Sequence, residues 1–157
     1  MTDTYDSDVH ALLARRAEAQ QSKDIDRLMS FYAPDIVYYD VVPPLRFTGL
    51  DEVRRNFRRW FDGYEGPITL ETHDRTVVTD EAGGVAFAHM LHRDTGQRKG
   101  GLQPSVWVRE TVCLRRSPQG VWSIVNEHVS VPVDPTTLTV WLPADKDEAG
   151  PGSDLHQ

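Results

Sequence analysis

The order of hydrophobic patterns predicts an α+β fold, in which three N-terminal helices pack on a curved, mostly antiparallel sheet. Three observations carry this. Apolar residues recur at helical spacing in three segments before residue 62, the spacing drops to a period of two beyond Gly63, and short turn sequences separate the later segments. With 157 residues, 39% hydrophobic and 26% charged, the chain fits one domain with a single core.

Val9, Leu12, Leu13 and Ala17 form the stripe of a first helix from Ser7 to about Ser22, flanked or interrupted by Arg16 and Gln20. Asp24 caps a short second helix with Ile25, Leu28, Met29 and Tyr32 on its inner face. Pro34 stops it, because the residue before a proline avoids helical backbone. Asp35 opens a strand rich in Val, Ile and Tyr around one acid, Asp40, which Pro43-Pro44 places near the strand's end. Thr48, with Asp51 three positions on, caps a third helix whose inner face is Leu50, Val53, Phe57, Trp60 and Phe61. Its other face carries Arg54, Arg55, Arg58 and Arg59 among Asp51, Glu52 and Asp62, and reads as solvated. Strands follow at about 68–78, 85–94, 106–116 and 121–131, with the glycine-rich connection 95–104 mobile. Residues 1–7 read as an acidic extension, 8–134 as the domain, and 135–157 as a C-terminal extension disordered from about 144.

Of the net charge of −7, the two ends carry −6. Residues 11–143 hold 16 basic and 17 acidic groups, so no basic stripe offers itself to nucleic acid. No apolar run reaches membrane-spanning length, and the acidic N-terminus lacks the pattern of a signal peptide, which points to a cytoplasmic protein without membrane partners. Cys113 is the only cysteine, which excludes an internal disulfide, and it reads as a small strand residue. Glycine-rich phosphate cradles and tight metal-ligand spacings are absent, so neither cofactor nor metal is expected.

Five segments in order, FYAPDIVYYDVVPPLRFTG, WFDGYEGP, VAFAHMLHR, WVRETVCLRR and VWSIVNEHVSVP, resemble the SnoaL-like, ketosteroid isomerase-like branch of the NTF2-like superfamily over residues 8–134. The resemblance implies a cone-shaped half-barrel with a ligand cavity between helices and sheet. It implies a general-base aspartate at the end of the first strand, the place of Asp40. The oxyanion-donating tyrosine of those isomerases would fall near Arg16, and their protonated acid near Arg109 or Glu110, so their machinery is not carried over whole. It also implies a homodimer formed through the outer sheet face.

Strict alternation puts Trp122, Ile124, Asn126, His128 and Ser130 on one face of the last strand. His128 then serves as acid or base opposite Asp40, with Asn126 and Ser130 contacting substrate, while Glu127 points outward. Arg109, sharing a strand face with Trp107, Thr111 and Cys113, polarises a substrate oxygen or pairs with Asp40 or Glu127. His89 and His92 have opposite parity, so one at most faces the cavity, and His89 is the choice. Tyr32, Tyr38 and Trp107 are candidate cavity walls, with Arg46 at the mouth. Together these residues predict a cofactor-independent acid–base enzyme, of isomerase, dehydratase or cyclase type, for a small apolar oxygenated molecule. An epoxide hydrolase is a weaker variant and requires a second acid beside an arginine. The alternative is a non-catalytic domain that binds a small ligand or dimerises.

Overall fold

The computed structural model describes residues 2–151. Helices α1 (Thr2–Gln21) and α2 (Ile25–Met29) lead into strand β1 (Tyr32–Tyr39), a two-residue β2 (Phe47–Thr48) and helix α3 (Gly49–Asp62). Four long strands follow: β3 (Tyr64–Thr79), β4 (Val85–Arg98), β5 (Ser105–Arg116) and β6 (Trp122–Ser130). A hairpin of β7 (Val133–Asp134) and β8 (Thr139–Val140) is the last regular structure among the described residues. The six-stranded sheet runs β2-β1-β6-β5-β4-β3, antiparallel throughout except for the parallel β1–β6 pair. It curves around the helices as the half-barrel expected from the sequence.

The inner sheet face is set by alternation. Ala86, Ala88 and Met90 of β4 and Val112 and Leu114 of β5 turn inward, into one core with Val9, Leu12 and Leu13 of α1 and Val53, Phe57 and Phe61 of α3. Removing this apolar surface from water is the main force holding helices to sheet.

Several boundaries differ from the sequence reading. Helix α1 begins at Thr2, inside the acidic extension, because its first turns have partners. The Arg116 guanidinium stacks 5.0 Å from the Tyr5 ring, Thr79 donates to Asp6 at 2.7 Å, and a side chain at Gly83 would run into Tyr5. Tyr32 belongs to β1 and not to the second helix. Pro34 is tolerated in that strand because β2 pairs only with Val37 and Tyr38, and the ladder to β6 shifts between Tyr32 and Val37. Glu52, not Asp51, reaches back to the Thr48 N–H at 2.7 Å. Of the segment expected to be disordered, residues 144–151 hold turn hydrogen bonds and a Lys146–Asp74 ion pair of 3.1 Å, and 152–157 lie outside the described residues.

One irregularity decides the site. Across β5 and β6, Cys113 pairs with Asn126 but Leu114 pairs with Ile124, so Val125 is an extra residue in β6. Such a bulge reverses the parity of everything beyond it. Trp122 and Ile124 face inward before the bulge, and Glu127 faces inward after it.

Candidate functional site

A line of polar side chains crosses the inner face of the sheet. Arg16, on the apolar stripe of α1, is 1% exposed and reaches two carboxylates: Glu110 on β5 at 2.7 Å and Glu127 on β6 at 3.1 Å. Tyr32 from β1 donates its hydroxyl to the same Glu127 oxygen at 2.7 Å. His92 from β4 contacts Glu110 through Nε2 at 2.6 Å, and its Nδ1 lies 3.0 Å from the Thr72 hydroxyl on β3. Five sheet strands and the first helix are thus joined by one network.

The two glutamates are shifted in opposite directions from an ordinary carboxyl. Burial alone would raise Glu110, but the Arg16 charge and the His92 contact outweigh it and hold its carboxyl well below the usual range. Burial, reinforced by the negative Glu110, pushes Glu127 well above that range despite Arg16. Glu127 therefore holds a proton more tightly than Glu110 does. Burial also raises the Tyr32 hydroxyl, which keeps it a donor at neutral pH.

Beyond His92 on the inward face of β4 stands Asp94. Its Oδ1 is removed from solvent and has no hydrogen-bond partner among the described residues. Desolvation, with smaller contributions from Glu110 and Asp40 against the opposing His92, lifts its carboxyl to about 7. Asp40 follows the last residue of β1, half-buried. Its Oδ2 accepts from the Asn56 amide at 2.6 Å, and its Oδ1 from the Val41 N–H at 2.6 Å. Asn56 comes from the inner side of α3 and is 4% exposed. The two carboxyls thus differ in their surroundings: one oxygen of Asp94 has no partner among the described residues, whereas both oxygens of Asp40 accept a hydrogen bond.

The other expected site residues separate into two groups. Tyr32 and Tyr38 are inward; Tyr38 packs on Phe47 and Phe57, and burial raises its hydroxyl, helped by the charges of Glu127 and Asp40. His128, by contrast, is exposed, turned outward by the Val125 bulge and lying 5.5 Å from the Tyr39 ring. Arg109 is exposed on the outer face of β5, where its Nε donates to Ser130 at 3.1 Å. The trio Asp40, His128 and Arg109 is therefore not brought together within one chain. His89 is also exposed and outward, and His92 is the inward histidine. Trp107 is buried, but against His73 on the outer face, ring centroids 5.1 Å apart. Asn126 donates to the Val37 carbonyl at 3.0 Å and ties β6 to β1 beside the bulge. Cys113 is half-buried on the outer face.

Sequence reasoning placed Glu127 outward and passed over His92, Asn56 and Asp94. A signal for three of the network residues was present: Arg16, Glu110 and His92 each stand in phase with an apolar row. Acids beside an arginine are present, as Glu110 and Glu127 with Arg16, but away from Asp40's direct contacts. Among the described residues no three His, Cys, Asp or Glu side chains are grouped to hold a metal ion, and no helix is long and apolar enough to cross a membrane.

Comparison with known proteins places the chain. No curated protein matches it. An NTF2-like protein of unknown function from Pseudomonas putida is 27% identical, covering 92% of this chain and 99% of its own, with a TM-score of 0.82. An NTF2-like superfamily protein from Salmonella enterica has a TM-score of 0.73 at 17% identity, over 85% of this chain and 94% of that one. A ketosteroid isomerase-like protein from Erwinia carotovora has a TM-score of 0.66 at 20% identity, over 77% and 91%. The family model described as a SnoaL-like domain matches residues 9–134, and the chain belongs to that family within the NTF2-like superfamily.

Proposed function

We propose that the protein is a cofactor-independent acid–base enzyme, of isomerase, dehydratase or cyclase type, acting on a small apolar oxygenated molecule. The observation that supports this most is Asp94. It is a recessed carboxyl on the inner face with one oxygen unpaired among the described residues and a proton affinity near neutrality, as a general acid or base requires. Asp40, whose charge bears on Asp94, is the second proton-handling group, held in place by Asn56. Arg16, Glu110, Glu127, Tyr32 and His92 are positioning residues in this reading. They fix the strands around the site and set its electrostatics without touching substrate.

The test is NMR-detected exchange of α-protons in deuterated water for a panel of enones, ketones and lactones, with wild type, Asp40→Asn and Asp94→Asn. Exchange in the wild type that disappears in either variant is the expected result. Wild type without exchange, but with ligand-dependent shifts, would overturn it in favour of a ligand-binding domain. One observation favours that second reading: the ion-paired network side chains are 1–8% exposed and bond mainly to one another, with Arg16 Nε alone among them unpartnered among the described residues, as in a closed structural core. A homodimer through the outer sheet face is part of the proposal under either reading. Val78, Val85 and Phe87 are 42–58% exposed there on neighbouring strands, and light scattering at micromolar concentration checks it.

A further inference from the structure

The arginines of α3, which the sequence reads as one solvated face, divide in the structure. Arg54 pairs with Asp26 on α2. Arg55 and Arg59, joined by Arg46 from the loop before β2, turn onto a surface cavity of about 390 Å3 lined also by Phe47, Asn56 and Glu52. Among the described residues none of these three arginines forms an ion pair. Glu52 is already engaged, accepting from the N–H and hydroxyl of Thr48 through Oε2 at 2.7 and 3.2 Å. Arg59 is held in place: it donates to the side-chain Oδ1 of Asn56 at 2.7 Å and its guanidinium lies 5.9 Å from the centre of the Phe47 ring. A guanidinium fixed before binding loses less freedom on binding, and its planar fork matches carboxylate and phosphate oxygens.

We propose that this cavity binds a small molecule carrying a carboxylate or phosphate group, with Arg46 and Arg55 gripping the oxyanion beside the anchored Arg59. The Asn56 side chain, which accepts from Arg59 and donates to Asp40 at 2.6 Å, connects the bound anion to the strand-end carboxylate. Anion binding here does not require turnover, so it stands apart from the acid–base reading.

Amide NMR titrations of the full chain with inorganic phosphate and, separately, benzoate test this, with ionic strength held constant by sodium chloride. Saturable shifts at Phe47, Arg55 and Arg59 are expected with at least one probe. Arg55→Ala and Arg46→Ala should each weaken binding at least about tenfold, while Arg54→Ala, outside the cavity, leaves it unchanged. Saturation by phosphate alone points to a phosphate ester, and by benzoate alone to an organic acid. Shifts that do not saturate beyond the chloride control, or equal weakening by Arg54→Ala, would overturn the site.

Discussion

The Asn56 amide donates to Asp40 at 2.6 Å, so the carboxylate at the end of β1 is positioned by helix α3 and not by a neighbouring strand. The bond links two elements that the sequence separates by a double proline, and it fixes one side-chain rotamer of the proposed proton-handling group.

Asp40→Asn should therefore remove proton transfer while leaving the fold intact. An asparagine carbonyl can still accept from Asn56, so the melting temperature should stay within about 2 °C of wild type, whereas α-proton exchange should fall at least about 100-fold. A cooperative loss of structure would instead make Asp40 a structural group.

Asp94 should make stability depend on pH in a defined direction. Its carboxyl is raised from 3.8 to about 7 in the folded chain. Between those values the native state binds more protons than the unfolded state, so stability falls as pH rises from about 4 to 7, and the loss is complete above 7. Asp94→Asn, which stays neutral, should exceed wild type by about 2 kcal/mol at pH 8, after allowance for partial solvent screening. The difference should vanish at pH 4. Urea unfolding of both proteins at pH 4, 6 and 8 checks this, and a pH-independent difference would sink it.

Arg16→Met should destabilise the fold by about 3–5 kcal/mol, because it leaves Glu110 buried without its cation. Adding Glu110→Gln and Glu127→Gln should restore part of that, since the neutral amides carry no uncompensated charge. If the triple variant is no more stable than the single one in urea, the cost arises from packing and not from charge.

His128→Ala and Arg109→Ala should each change stability by no more than about 0.5 kcal/mol and leave exchange rates at the wild-type value, since both side chains point away from Asp40. A large rate loss in either would mean that a second copy completes the site.

The element order was legible because the hydrophobic period changes from helical to alternating near Gly63, and apolar burial follows that period. Parity was equally legible along β4 and β5, where no extra residue intervenes in the inner rows. Choosing residues from the polar row led to Arg109 and His89 on the outer face. Charged residues in phase with Val108, Val112 and Leu114, or with Ala86, Ala88 and Met90, were the better signal. The end of β6 was not legible, since Ile124-Val125-Asn126 holds no glycine or proline and its first two residues are strong strand formers. The pairing of β6 with β5 reveals it, and that pairing is a tertiary property. Asn56 escaped notice because an amide at the margin of an apolar helix stripe has no distinctive spacing.

The arginine that joins two carboxylates also constrains how this sequence can change over generations. Any single replacement among Arg16, Glu110 and Glu127 breaks a contact buried under helix α1, so a lineage leaving this arrangement has to pass through a weakened intermediate. The three positions should drift as one inherited unit, kept together or exchanged together, while the outer-face residues beside them vary independently.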